Sequence, residues 1–245
     1  MSIKGILFDF GNTLISIELD WEKVLPLNIA SLVRYLQSQN YPVDIEPFGK
    51  RFLELKNHKH QLGQKDLIEY TSVNILKEVL SEYNFHDVDV SILEKAVEAF
   101  FEPEKKLYPV IAGAHKVLQT LKDRGYKLAL VSNASSGKLI YSAMEHLDFT
   151  KYFDVTIVSA DIGFRKPHPK IFELALEKLH ISPQEAVMIG DVPAYDIAGA
   201  KKLGMKSILV NYLESTEGKK NLTDIQPDAI AHKITDIPNI IESWK

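Results

Sequence analysis

Four short polar stations along a 245-residue chain carry residue types able to do chemistry together. The first is Asp9, which ends the apolar run Ile6-Leu7-Phe8 and is followed by Gly11 and Thr13 in "FDFGNTL". The second is Ser132-Asn133, closing "LALVSN". The third is Lys166, in "RKPHPKIF". The fourth is Asp191, closing "VMIGD", with Asp196 further along in "PAYD". A carboxylate at the end of a buried strand is costly unless something uses it. Gathered together, three acids repel and raise one another's pKa, so they need cations. Lys166 supplies one. A hard divalent ion with oxygen ligands, Mg²⁺, is the natural second and leaves room for a substrate phosphate. An aspartate beside Mg²⁺, hydroxyl donors and a lysine suits phosphoryl transfer through an aspartyl-phosphate. Taken singly, each station has a plainer reading as a turn, a helix cap or a solvated loop charge.

What would gather them is an α/β fold. Residues 3–8 read as a buried strand. From Pro109 onward, helical stretches such as "AGAHKVLQTLKDRG" and "HPKIFELALEKLHI" alternate with the strands "YKLALVSN", "FDVTIVSA", "EAVMIGD" and "KSILVNY". A short last strand in "PDAIAHKI" and a terminal helix in "DIPNIIESW" follow. Strands alternating with helices of 10 to 15 residues argue for a parallel sheet covered on both faces. Ligands of such sheets bind at the carboxyl ends of the strands, where all four stations fall. Between the first strand and the rest, residues 17–106 carry roughly four helical patterns and no clear strand. One of them spans "KDLIEYTSVNILKEVLSEYN", and another ends near Pro103. The expected architecture is a Rossmann-like three-layer α/β/α core, residues 1–16 and 107–245, with a helical cap inserted at 17–106. Residues 211–226 read as the most loop-like segment.

Bulk properties narrow the function class. A net charge of −4 gives no general pull toward nucleic acid or an acidic membrane. The absence of cysteine excludes disulfides, thiolate catalysis and Cys-ligated zinc. "MSIK" runs straight into a short strand, too short for a signal segment, and no apolar run reaches spanning length. The expectation is a cytoplasmic protein with a small-molecule substrate.

In order, "FDFGNTL", "VSN", "RKPHPKIF" and "IGDVPAYD" resemble the four motifs of the haloacid dehalogenase superfamily. The likeness spans about 3–10 and 107–240, and the helical block sits where that superfamily carries a cap of the C1 type. The resemblance implies that Asp9 is the nucleophile and that the backbone carbonyl of Gly11 is a magnesium ligand. It places Thr13 near the flap after the first strand. Ser132, with Asn133 beside it, would donate to a phosphoryl oxygen. Lys166 would bind the phosphate and offset the charge on Asp9. Asp191 and Asp196 would serve the metal directly or in support.

One position departs from the pattern. Phosphatases of the superfamily carry a second aspartate two residues after the nucleophile, where it moves protons; here that residue is Gly11. General acid–base assistance is typically worth about 10²–10⁴-fold, or roughly 3–5 kcal/mol. The leading expectation is a Mg²⁺-dependent hydrolase of phosphate esters that is slow, restricted to activated leaving groups, or served by a proton carrier from the cap. "NHKHQLGQK" offers His58, Lys59, His60 and Lys65 for that part. Two alternatives remain. One is carbon-directed chemistry of the 2-haloacid dehalogenase or phosphonatase type, the latter needing a cap lysine such as Lys23, Lys50, Lys56 or Lys59. Asp191 and Asp196 argue against dehalogenation. The other is a non-catalytic binding or regulatory protein.

Overall fold

The computed structural model describes residues 2–211 and 225–244. The loop reading for 212–224 lies outside these. Six strands form one parallel sheet: β1 (Gly5–Phe8), β2 (Lys127–Ser132), β3 (Val155–Val158), β4 (Ala186–Gly190), β5 (Lys206–Val210) and β6 (Ala229–Ala231). Their spatial order is β3-β2-β1-β4-β5-β6. The chain builds outward from β1 to β3 on one side and from β4 to β6 on the other. β1 and β4 are therefore neighbours at the point where strand order reverses, which is where such sheets open a crevice.

Both faces of the sheet are covered, so β1 is apolar without alternation and buried at every residue. Ile6 and Phe8 face one layer, packed with α5 (Ala114–Asp123), α6 (Gly137–His146) and, at the chain's end, the helix Ile237–Glu242. Leu7, one residue out of phase, faces the other layer. There α8 (Pro169–Leu179) and α9 (Ala198–Lys202) supply Phe172, Leu176 and Ala200. Between β3 and α8 the chain makes one short helix, α7 (Ser159–Ile162).

Residues 21–105 form α1 (Trp21–Ser38), α2 (Ile45–Asp66), α3 (Ser72–Glu82) and α4 (Val90–Lys105). They share a hydrophobic core of their own, centred on Phe48, Phe52, Leu76 and Phe100. The continuous helical pattern over residues 65–84 is broken in the structure. Leu67 ends α2 at φ 62°, and Thr71 begins α3 by accepting a hydrogen bond from the Asn74 N–H. The break has a use. In segment 67–72 the Glu69 N–H donates to Gly163 O, the Ser72 N–H donates to Ser135 O, and Leu67 O accepts from the Arg165 N–H. The helical block is thus stitched to the loops at the carboxyl ends of β2 and β3.

α4 runs through Pro103 to Lys105, since a proline in the last turn removes only one helical bond. The helix expected after β4 opens with a π turn, Pro193–Ile197, before α9. No helix among the described residues is long and apolar enough to cross a membrane.

Candidate active site

The register Phe8↔Leu130 and Phe8↔Ile189 sets the ends of β2, β1 and β4 level with one another. Ser132, Asp9 and Asp191 leave three adjacent strands on one rim. Asp9 is held there by its N–H, which donates to Ile189 O at 2.9 Å. Lys166 reaches in from the loop after β3. Its ammonium donates to Asp9 Oδ1 at 2.6 Å and to Asp196 Oδ1 at 2.7 Å. Lys166 is 2% exposed, Asp196 1% and Asp9 8%.

The π turn explains how Asp196 arrives. By folding back, it lets Asp196 Oδ2 accept from the Val192 N–H at 3.0 Å while Oδ1 meets Lys166. Such turns recur at functional sites. Gly190 makes room: a Cβ there would lie 2.2 Å from Asp196 Cγ. Only a residue without a side chain allows the carboxylate to tuck against the end of β4.

Asn133 holds the lysine's backbone. Its Oδ1 accepts from the Lys166 N–H at 2.7 Å, and its amide donates to Lys166 O at 3.1 Å. Its polar ends are thus committed to positioning Lys166. Ser132 lines the cleft. Thr13 is fully buried and is not among the residues that line it. Gly11 lines the cleft, and a Cβ there would lie 3.3 Å from two carbons of Ile17.

The electrostatics are unbalanced: three carboxylates meet one ammonium. Burial alone would lower the Lys166 pKa, but Asp196 and Asp9 raise it above the usual lysine value. Burial, then Asp9 and Asp196, push Asp191 up to about 8. Burial pushes Asp196 to about 6; Lys166 pulls against that rise, and Asp9 adds to it. Among the described residues no three His, Cys, Asp or Glu side chains form a ready metal cage. The donor set still fits a hard divalent ion that keeps water and takes substrate oxygens. Both Asp196 oxygens are engaged, which leaves Asp9 Oδ2 and the Asp191 carboxylate with charge still to be met.

Beside this cleft, beneath the helical block, lies a cavity of about 290 Å³. Sequence reasoning did not find it, because it is built from residues far apart in the chain. Gly11, Ile17, Trp21, Ser132 and Asn133 line both spaces, as do His60 from α2 and Arg165. Of the other cap residues named as proton carriers, Lys59 pairs with Glu78 at 2.8 Å, and neither His58 nor Lys65 lines either space.

A parallel sheet with a lysine-bound aspartate at the switch point, flanked by two further acids and roofed by helices, is the architecture of a carboxylate-centred hydrolase. The chain belongs to the haloacid dehalogenase-like hydrolase family, whose model matches residues 3–204. Over 241 residues it is 28% identical to a glyceraldehyde 3-phosphate phosphatase of Pyrococcus furiosus, covering 98% of this chain and 92% of that one. Among solved structures, a HAD phosphatase from Thermococcus onnurineus superposes with a TM-score of 0.64 at 25% identity, covering 98% of each chain. A 2-haloacid dehalogenase from Pseudomonas syringae pv. Tomato DC3000 shares the fold at a TM-score of 0.72 and 23% identity, covering 99% of this chain and 100% of that one.

Proposed function

We propose that the protein is a Mg²⁺-dependent phosphatase of small organic phosphates, working through an aspartyl-phosphate on Asp9. The observation that carries this reading is the Lys166 bridge between Asp9 and Asp196 at the end of β1. It fixes the Asp9 carboxylate at the mouth of the cleft with one oxygen against the lysine ammonium, the placement a nucleophile needs. A carboxylate oxygen of Asp9 forms a bond to phosphorus as the bond to the ester oxygen breaks. Water then attacks the phosphorus of the acyl phosphate, releasing inorganic phosphate and restoring Asp9. Ser132 donates to a phosphoryl oxygen, and Lys166 offsets charge on the transferring group. Asp9, the Gly11 carbonyl and Asp191 would hold Mg²⁺, with Asp196 in support through Lys166. When bound, the ion neutralises the excess carboxylate charge and the phosphate oxygens. The helical block acts as a cap that keeps bulk water from the reacting atoms.

Gly11 offers no side-chain acid to the departing oxygen. The reading therefore favours substrates whose leaving groups depart readily, or that are bound strongly elsewhere. The test is p-nitrophenyl phosphate with and without Mg²⁺, on wild type and Asp9→Asn. Turnover should need the ion and should vanish in the variant. An Asp9→Asn protein as active as wild type removes Asp9 as the nucleophile. Chloride release from 2-chloropropionate without metal, in a protein inert toward phosphate esters, would replace the reading with dehalogenation.

A further inference from the structure

The cavity beside the cleft is lined by two cations with donors to spare. Its wall is largely apolar, formed by residues such as Phe10, Trp21, Ile75, Phe101 and Leu139. Lys56, projecting from α2, lines it. Among the described residues the Lys56 ammonium has no hydrogen-bond or ion-pair partner; it stands 5.8 Å from the centre of the Phe101 ring. Burial lowers its pKa from the usual lysine value, against the pull of Glu104 and Glu69. Arg165 lines the same cavity and is 4% exposed. Its Nε is buried without a hydrogen-bond partner. Its Nη1 forms an ion pair with Glu69 at 3.8 Å and contacts His60 Nδ1 at 3.4 Å.

The two acids that line the same cavity, Glu69 and Glu104, also accept from other donors. Glu104 accepts from the Asn28 amide and the Tyr108 hydroxyl, both at 2.6 Å. Glu69 accepts from the Ser159 hydroxyl at 2.8 Å. A Lys56 ammonium without an acceptor and an Arg165 Nε left unmet, in a largely apolar space, are costly unless a ligand supplies acceptors.

We propose that the substrate's leaving group carries a carboxylate, seated in this cavity by Lys56 and Arg165. The inference deepens the phosphatase reading and rests on it for the direction in which the ester points. A carboxylate suits the site because both cations are donor-only and a guanidinium matches its planar pair of oxygens. Lys56 belongs to the helical block and Arg165 to the sheet's rim, so one bound carboxylate would tie the two together over the reacting phosphate. A cavity of about 290 Å³ limits the leaving group to a small one.

The experiment pairs each acid with its amide: phosphoglycolate with phosphoglycolamide, phospholactate with phospholactamide, and 4-carboxyphenyl phosphate with 4-carbamoylphenyl phosphate. For wild type, kcat/KM of at least one acid should exceed that of its amide by about tenfold or more, the factor that one charge-assisted contact supplies. Lys56→Met, which keeps the aliphatic stem, should bring that ratio toward one, and Lys56→Arg should keep most of it. A wild-type ratio near one in all three pairs overturns the proposal, as does a ratio unchanged in Lys56→Met. The same pairs are titrated by calorimetry into Asp9→Asn protein. If no ester is hydrolysed yet the acids bind more tightly than the amides, the carboxylate site stands and the phosphatase reading falls. If hydrolysis proceeds without an acid preference, the reverse holds.

Discussion

Without a divalent ion, the protein should lose stability as pH rises from about 4 to about 8. Asp191 titrates near 3.8 when exposed and near 8 in the fold. Below the lower value both states are protonated and nothing is lost. Between the two values the folded protein holds a proton that the unfolded chain has released. Stability then falls by about 1.4 kcal/mol per pH unit, and the loss levels off above pH 8. The whole interval of about 4 units sets a ceiling near 6 kcal/mol. Asp191 is only partly buried, so water reduces the effect. Between pH 6 and pH 8 we expect about 1–3 kcal/mol, which for a chain of this size is about 2–10 °C in Tm. Asp196, raised to about 6, adds to the loss at the lower end. Mg²⁺ meets the charge that the proton otherwise cancels, so it should raise Tm more at pH 8 than at pH 6. The assay is scanning calorimetry in chelator and in millimolar MgCl₂ at both pH values, on wild type and Asp191→Asn. The variant should lose most of both dependences. A wild-type Tm that gains equally from Mg²⁺ at the two pH values, or that does not fall with pH in chelator, refutes the charge argument.

Two further outcomes concern proton transfer. Gly11→Asp supplies the acidic side chain that the motif resemblance leads one to expect at this position; its Cβ would press on the ends of Ile17 at 3.3 Å, and that exposed side chain can yield. Relative kcat/KM for an alkyl phosphate over p-nitrophenyl phosphate should rise by about 10²-fold, and an equal change for both esters would place the missing assistance elsewhere. His60 stands on the wall shared by cleft and cavity, with its Nδ1 3.4 Å from Arg165 Nη1 and its Nε2 3.1 Å from the Gln64 amide nitrogen. With both ring nitrogens engaged, His60 is placed to hold Arg165 rather than to carry a proton, so His60→Gln should change steady-state turnover of p-nitrophenyl phosphate by less than about 10-fold and leave no burst of p-nitrophenol. A fall of about 10²-fold or more with a burst of p-nitrophenol would overturn this and place His60 in the hydrolysis of the acyl phosphate.

The strand-end stations were legible because strand ends are local facts. An apolar run that stops at Asp9 or at Asp191 announces both the strand and the rim. The parallel sheet followed from alternating periods, and the family from the order of the stations. What pairwise contacts decide was not legible. Nothing in "VSN" shows that the Asn133 amide is spent on the Lys166 backbone, since that depends on how the loop after β3 crosses β2. The break at Leu67 was hidden because residues 65–84 keep a helical apolar pattern across it; the tie to Gly163 and Arg165 wins over local propensity. The cavity cations were invisible for a stronger reason. Lys56 was one of several cap lysines, and only packing distinguishes it from Lys59, which is paired on the surface.

Gly11 and the cavity bear on one another. Losing acid–base assistance costs roughly 3–5 kcal/mol in the transition state. Two charge-assisted hydrogen bonds, from Lys56 and from Arg165, are worth about 1.5–3 kcal/mol each. Binding energy at a remote part of a substrate can be spent on the reacting centre, provided it is realised in closing and aligning the site. A carboxylate gripped from both the cap and the rim would be of that kind. The two sums are of equal size, so an enzyme with glycine at position 11 can turn over a carboxylate-bearing ester at an ordinary rate. It would then leave esters without that group slow unless they leave easily. The same arithmetic makes the effects additive: Gly11→Asp should raise kcat/KM for an acid substrate and for its amide by similar factors and leave the ratio between them unchanged, because the two contributions act at different parts of the substrate.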